Sequence, residues 1–279
     1  MLNYAHPEVL VDSQWLVEHL EDPNIRIIEM DVDSQSYEKG HIRGSIFWSI
    51  FEILQPDMRI NFDVDSISKL LSRSGITKEM TVVASHGENV GSSACLFWFL
   101  KVIGHQNIRV LNGGRKKWKQ EGSPLTTDST TVKPTQYHIQ SIDHSLRALL
   151  AEVKDSIGKK DCVLLDVRTP QEYQGEIYLQ EPPKENERGG HIPGAVNLYY
   201  EISHNDDDTF KSADELEKIF ADVGVTKDKT IIPYCAVGGR SGHMWFVLKY
   251  LLGYPHVKNY DGSWNEWSQL EDSLVETFN

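Results

Sequence analysis

Apolar positions along this chain follow two spacings, and the two spacings alternate. Short apolar runs predict buried strands, at 25–30, 80–84, 108–111, 162–166 and 230–234. Segments in which apolar residues recur at helical spacing predict helices, at 63–72, 92–103, 114–120, 145–156, 214–222 and 241–252. Because strands and helices alternate, we expect an α/β fold in which each parallel sheet is flanked by helices on both faces.

The second half of the chain repeats the first. The segment 75–83 matches 224–232 at an offset of 149 residues, and Gly40-His-Ile-Arg-Gly44 matches Gly190-His-Ile-Pro-Gly194 at an offset of 150. A repeat of this length indicates two complete domains rather than a solenoid of short units. A stretch rich in Ser, Thr, Asp and Pro lies between them. The predicted division is a first domain over 1–128, a linker over 129–144 and a second domain over 145–279.

One cysteine stands at a strand-to-helix junction. Cys235 follows the apolar run 230–234 and precedes a Gly-Gly-Arg sequence and a helical pattern. Such a loop points backbone N–H groups and the positive end of a helix dipole at one spot, where a thiolate is stabilised as a nucleophile. We expect the backbone of six residues to form this cradle: Ala236, Val237, Gly238, Gly239, Arg240 and Ser241. Cys95 and Cys162 lie in apolar runs and are expected to be inert core thiols.

The corresponding loop of the first half lacks the thiol. At the offset of 149, His86 stands where the second half has Cys235, and Glu88 adds a negative charge nearby. The first domain is therefore expected to be catalytically inactive and to serve as one wall of a cleft between the domains. His86 is expected to be a solvated loop histidine, and His243 a packing residue.

Composition narrows the class of protein. The 279 residues are 39% apolar and 25% charged, as in globular proteins, and a net charge of -13 argues against nucleic-acid binding. The start of the chain has no signal-peptide pattern, and no apolar run is long enough to span a membrane. Three cysteines without framework spacing fit a reducing compartment, so we expect a cytoplasmic protein. No metal site or nucleotide motif has a recognisable spacing.

Four motifs of the second half together resemble the rhodanese family in its tandem-domain form. They are Asp166-Val-Arg168, Gly190-His-Ile-Pro-Gly-Ala-Val-Asn197, Cys235-Ala-Val-Gly-Gly-Arg240 and Tyr260-Asp-Gly-Ser-Trp264. The resemblance covers nearly the full length and is closer to the thiosulfate sulfurtransferases than to the 3-mercaptopyruvate type. It implies two rhodanese-like domains and a persulfide on Cys235, loaded by thiosulfate and discharged to cyanide or a cellular thiol. It implies no cofactor; the partners are the small donor and acceptor, and the protein is a monomer or a dimer.

Three arginines are candidates for binding the anionic donor: Arg168, Arg188 and Arg240. A guanidinium can pair with an oxyanion in a bidentate way, although for Arg168 and Arg188 a salt bridge is the competing interpretation. In the related mercaptopyruvate enzymes, an arginine a few residues beyond the Asp-x-Arg motif holds a carboxylate. Glu172 occupies that place here and would repel a carboxylate, so we expect thiosulfate to be preferred to 3-mercaptopyruvate.

Two other functions remain open at this stage. Cysteine phosphatases also place a cysteine before a backbone loop that ends in arginine. Their loop is longer than the four residues between Cys235 and Arg240, and no carboxylate stands in this loop to act as a general acid. A non-catalytic module that binds a partner or carries sulfur is the second alternative. The intact cysteine loop argues against it.

Overall fold

The computed structural model describes residues 3–179, 181–185 and 187–277, which form two similar α/β halves. In the first half, the strands β1 to β5 are Leu10–Val11, Ile25–Asp31, Ser45–Ser49, Thr81–His86 and Ile108–Leu111. Its helices α1 to α5 are Ser13–His19, Gln35–Lys39, Val64–Arg73, Ser92–Val102 and Gly114–Gln120. In the second half, the strands β6 to β8 are Cys162–Asp166, Val196–Asn197 and Thr230–Tyr234. Its helices α6 to α10 are Leu150–Ser156, Pro170–Gln174, Ala213–Asp222, Gly239–Phe246 and Ser263–Ser268.

Both sheets are parallel and share one strand order. The first sheet runs β1-β5-β4-β2-β3, and the second runs β7-β6-β8. Among the residues that the structure describes, the second sheet has no full strands equivalent to β5 and β1. In their places it has two isolated parallel bridges, Ile231 to Val257 and Arg147 to Asn259. Since parallel strands need crossover helices, this topology covers the sheets with helices, and the predicted α/β repeat is confirmed.

Two predicted helices differ in their bounds by more than one residue. The helix predicted over 145–156 begins only at Leu150, because the Asp143 carboxylate accepts a hydrogen bond from the Ser145 amide and stabilises a separate turn of 3-10 helix. The helix predicted over 241–252 begins two residues earlier, at Gly239, and its α-helical part ends at Phe246. Its last turn, Val247–Leu251, widens to a π-helix.

The halves pack together through equivalent helices. Helix α4 of the first half contacts α9 of the second, and Phe97 meets Phe246 with ring centroids 4.8 Å apart. These two phenylalanines are related by the repeat offset of 149 residues. Buried side chains of both halves belong to one continuous apolar core. The relative position of the two loops at the amino ends of α4 and α9 is therefore fixed by packing.

The segment predicted as a linker, 129–144, has no regular helix or strand before the short turn His144–Leu146, and it packs against the first half. The Thr135 amide donates to the Ser72 carbonyl at 2.9 Å, and Tyr137 is buried. The exact domain boundaries stay a prediction. No helix in the described part of the chain is long and apolar enough to cross a membrane.

Candidate active site

Cys235 directly follows β8 and stands immediately before the loop that leads into α9. Its side chain is only 1% exposed, yet it lines the floor of a cleft of about 1110 Å³ between the two halves. First-half residues on the walls include Asp31, Phe51 and Cys95. The predicted role of the first half as one wall of an interdomain cleft agrees with this arrangement.

One backbone amide and one side-chain hydroxyl of the predicted cradle contact the thiol; the cradle of six backbone groups stays a prediction. The Gly238 amide donates to Sγ of Cys235 at 3.2 Å, and the Ser241 hydroxyl lies 3.6 Å from the same sulfur. Gly238 adopts a left-handed φ of 91°, and a Cβ there would lie 2.6 Å from the Asp261 carbonyl oxygen. Only glycine fits this close approach. Ala236, Val237, Gly239 and Arg240 line the cleft around the sulfur.

The first residues of helix α10 form hydrogen bonds with the backbone of Cys235. The Cys235 amide donates to Oγ of Ser263 at 3.0 Å, and the Ser263 hydroxyl donates to the Tyr260 carbonyl at 2.8 Å. The Trp264 amide donates to the Cys235 carbonyl. Ser263 itself has a left-handed φ of 53°, which is uncommon for a residue with a side chain. Such strain persists only where the surroundings over-determine it, so Ser263 is a positioning residue that sequence reasoning missed.

Arg240 reaches the cleft but is not a free cation. Its two terminal nitrogens each donate to one Glu172 oxygen at 2.7 Å, in a bidentate pair. Burial disfavours the charged Glu172, yet the hydrogen bonds and charge of Arg240 outweigh burial and lower the pKa of this carboxyl. Thr169 completes a capping box with Glu172 at the start of α7. Repulsion of a substrate carboxylate by Glu172 is therefore weaker than the sequence suggested, because its charge is already paired.

Arg168 lies outside the cleft lining, buried at 1% exposure. It forms an ion pair with Asp166 at 2.6 Å and donates to the Gly190 carbonyl at 2.8 Å. In the first half, Arg115 donates to the equivalent carbonyl, that of Gly40, from the position that corresponds to Trp264. Two arginines at unrelated positions thus hold the same turn in each half, which favours a structural role for Arg168.

Arg188 also points away from the cleft lining. Its guanidinium donates to the Leu270 carbonyl at 2.7 Å and to the Ser273 carbonyl at 2.6 Å. These bonds join the segment after α10 to Arg188, just before the turn at Gly190. The role in donor binding that the sequence suggested for Arg188 stays a prediction, and the position of the side chain does not favour it.

His86 is not a solvated loop residue, and that expectation was wrong. It ends β4, is 1% exposed, and its Nδ1 lies 3.0 Å from the Ser93 hydroxyl. It is close to two more buried histidines, His204 and His243, whose rings stand 5.0 Å apart. Each of the three carries one ring nitrogen without a hydrogen-bond partner. Burial lowers the pKa of His86 and that of His204 to about 4, so these rings are neutral.

Comparison with known protein families assigns the chain to one of them. The family described as "Rhodanese-like domain" matches residues 12–121 and 149–270, one match for each half. The chain belongs to the rhodanese family. The tandem-repeat fold and the resemblance inferred from the motifs around Cys235 are both confirmed by these matches.

Full-length relatives of this rhodanese carry names from sulfur transfer. "Sulfur carrier protein TtuD" of Thermus thermophilus is 47% identical, with 96% of each chain covered. A "Putative thiosulfate sulfurtransferase" of Mycolicibacterium smegmatis is 40% identical, over 98% of this chain and 99% of the other. The solved anaerobic ergothioneine biosynthesis enzyme of Chlorobium limicola, in complex with trimethyl histidine, has a TM-score of 0.87 at 25% identity. That match covers 99% of this chain and 72% of the other. This protein is accordingly a sulfurtransferase of the rhodanese family.

Proposed function

We propose that the protein transfers the sulfane sulfur of thiosulfate to a thiophilic acceptor, cyanide or a cellular thiol, through a persulfide on Cys235. The Cys235 thiolate attacks the outer sulfur of thiosulfate, the S–S bond of the donor breaks, and sulfite leaves with the bonding electron pair. The terminal sulfur of the resulting Cys235–S–S⁻ is then attacked by the acceptor, which restores the thiolate. The observation that carries the proposal is the cysteine at the floor of the cleft with the Gly238 amide directed at its sulfur.

The loop can stabilise the negative charge of both the Cys235 thiolate and the Cys235 persulfide. In the thiolate the Gly238 amide and the Ser241 hydroxyl face the sulfur that carries the charge. The residues Gly239, Arg240 and Ser241 begin α9, where backbone N–H groups have no partner within the helix and favour an anion. Preorganised donors of this kind lower the barrier because they need no rearrangement as charge moves to the outer sulfur, and each is worth about 3 kcal/mol in comparable sites.

Replacement of the cysteine tests the proposal directly. Cys235→Ser should abolish thiocyanate formation from thiosulfate and cyanide, because the hydroxyl is not ionised at neutral pH. Mass spectrometry of the wild-type protein after thiosulfate treatment should show one added sulfur atom, and peptide mapping should locate it on Cys235. Cys162→Ser, at a half-buried thiol outside the cleft lining, is the matched control and should retain the reaction. Turnover by Cys235→Ser, or an added sulfur on another cysteine, would refute the assignment.

Two variants of the proposal are separated by the same assay. The 47% identical relative is named a sulfur carrier, which favours a protein that forms the persulfide but releases sulfur only to a partner. In that case thiosulfate adds one sulfur to Cys235, but the protein does not transfer sulfur repeatedly to cyanide or to small thiols. 3-Mercaptopyruvate remains the alternative donor, and side-by-side kinetics with the two donors decides between them. Since the chain has three free cysteines, we propose that it works in the reducing cytoplasm.

A further inference from the structure

The cleft above Cys235 is acidic. Seven carboxylates of described residues line it: Asp31, Asp33, Glu88, Glu172, Glu181, Glu187 and Glu201. Two cationic side chains, Lys184 and Arg240, line it as well, and Arg240 is already paired with Glu172. A low-dielectric cleft lined by one sign of charge concentrates ligands of the opposite sign. This lining is therefore suited to a cation, although the donor proposed above is an anion.

The charge of Glu201 is placed beside two aromatic rings. Both phenols donate to the same Oε1 of this exposed carboxylate, Tyr199 at 2.6 Å and Tyr200 at 3.0 Å. The two rings stand nearly perpendicular, at 78° with centroids 5.0 Å apart, and both residues line the cleft. Phe51, which is 52% exposed, lines the same cleft from the first half.

Aromatic faces beside a carboxylate are the recognised surroundings of an organic ammonium group. The ring quadrupole attracts the cation and the carboxylate supplies the opposite charge. Phenols that donate to Glu201 also fix the orientation of its carboxylate relative to the rings. The nucleophile Cys235 lines the same cleft as this corner, so the persulfide and the ammonium would share one binding space.

We propose that the sulfur acceptor is a small organic cation whose ammonium group binds at the corner formed by Tyr199, Tyr200 and Glu201. The inference rests on the proposed function, because it assigns the acceptor for the Cys235 persulfide. In the transfer step, a thiolate of the acceptor attacks the outer sulfur of Cys235–S–S⁻. A new S–S bond forms in the acceptor, the S–S bond to Cys235 breaks, and the electron pair returns to the Cys235 thiolate.

Three small thiols of different charge test the proposal: cysteamine, which is cationic, 2-mercaptoethanol, which is neutral, and 3-mercaptopropionate, which is anionic. The persulfide is loaded with thiosulfate or polysulfide, excess donor is removed, and single-turnover discharge is followed by loss of the added sulfur from Cys235. Rate constants are expressed per thiolate, so that differences in thiol ionisation cancel. We expect cysteamine to be fastest and 3-mercaptopropionate slowest, with the spread reduced by added salt.

The variant Glu201→Gln removes the charge but keeps an oxygen that accepts from the two phenols. The ratio of the cysteamine to the 2-mercaptoethanol rate constant should fall by about fivefold, as expected for one charge pair at a partly solvated site. The control Glu217→Gln makes the same change of net charge on α8, outside the cleft lining, and should keep the wild-type ratio. Tyr199→Phe, which keeps the ring, should lower the ratio less than Tyr199→Leu.

The outcomes separate the two proposals. If Cys235 takes up sulfur but all three thiols react equally, or if Glu201→Gln leaves the ratio unchanged, the cationic acceptor is refuted and the persulfide mechanism stands. If no donor adds sulfur to Cys235, both proposals fail together. A ratio that falls in Glu201→Gln and not in Glu217→Gln supports the assignment of the corner.

Discussion

Arg240 and Glu172 form an ion pair in the lining of the Cys235 cleft, and their separation along the chain is 68 residues. The Glu172 side chain is 1% exposed, whereas that of Arg240 is 23% exposed. Loss of the arginine would leave a buried carboxylate without its main partner, which is usually more costly than loss of both charges. The pair therefore fixes the first turn of α9 relative to α7. Because the charge of Arg240 is already paired, this arginine attracts a free anion less strongly.

A double-mutant comparison tests this role. Arg240→Ala should lower the free energy of unfolding by about 3 kcal/mol, because Glu172 remains buried and retains only its Thr169 hydrogen bonds. Adding Glu172→Gln to Arg240→Ala should restore part of that loss. Urea denaturation of the two variants and the wild type gives the comparison. Equal stability of the single and double variants would show that the buried charge is not the cause.

The Cys235 loop could be predicted from sequence because the strand, the glycines and the helix that form it are neighbours along the chain. An apolar strand, two glycines and a helical pattern follow one another within 230–252. The Glu172 partner of Arg240 and the Gly190 partner of Arg168 could not be predicted, because these contacts depend on how distant segments meet. An arginine in a sequence motif can pair with an anion or a carbonyl group. Only the folded structure shows whether its partner is another residue or a ligand.

At the scale of elements, the junction of Tyr260-Asp-Gly-Ser-Trp264 with α10 sets the position of the cysteine. Ser263 accepts from the Cys235 amide while its own backbone has a left-handed φ. The motif was visible in the sequence, but the backbone strain and the bond to Cys235 were not. One side chain thus joins the end of β8 to the start of α10.

Two substitutions separate the hydrogen bond from the strain. Ser263→Ala and Ser263→Gly both remove the hydroxyl, so both should slow persulfide formation, by about tenfold for a loss of roughly 1.4 kcal/mol of positioning energy. Only Ser263→Gly relieves the left-handed backbone, so it should be the more stable of the two by about 1 kcal/mol. Stopped-flow loading and thermal denaturation measure the two effects. A normal loading rate in both variants would rule out the positioning role.

At the scale of the whole molecule, three neutral histidines lie at the contact between the halves. His86 comes from the first half, and His204 and His243 come from the second. Arg115 and Lys116 further disfavour protonation of His86, whereas Asp208 lies 3.9 Å from it. Because the folded pKa values of His86 and His204 are depressed to about 4, the unfolded chain binds more protons between that pH and about 6.5.

Stability should therefore be full above about pH 6.5 and fall as the pH is lowered toward 4, by up to about 3 kcal/mol for each of the two histidines. Urea denaturation across this range measures the slope. His86→Asn retains a polar group near Ser93 without a titrating ring and should reduce the slope. His138→Asn, at an exposed position, is the control and should leave it unchanged. If the free energy of unfolding of His86→Asn had the same pH dependence as that of the wild type, the buried His86 would not be a cause of the acid destabilisation.

Charge across the molecule also shapes the kinetics. With a net charge of -13 and an acidic cleft, the protein repels the thiosulfate dianion, so added salt should lower the KM for thiosulfate while kcat changes little. Steady-state kinetics over a series of sodium chloride concentrations measures this dependence. A KM that rises with salt would indicate instead that a local cationic site attracts the donor.

The contact of Phe97 with Phe246 shows how the two halves are related in space. Each phenylalanine meets its own counterpart in the other repeat, and the helices that carry them are also counterparts. A surface that contacts a copy of itself is the defining property of a two-fold symmetric homodimer. The two halves thus meet as the subunits of a two-fold symmetric dimer do, although they belong to one chain. The symmetry ends at the two loops, because one half has Cys235 where the other has His86, and the two halves form opposite walls of one cleft.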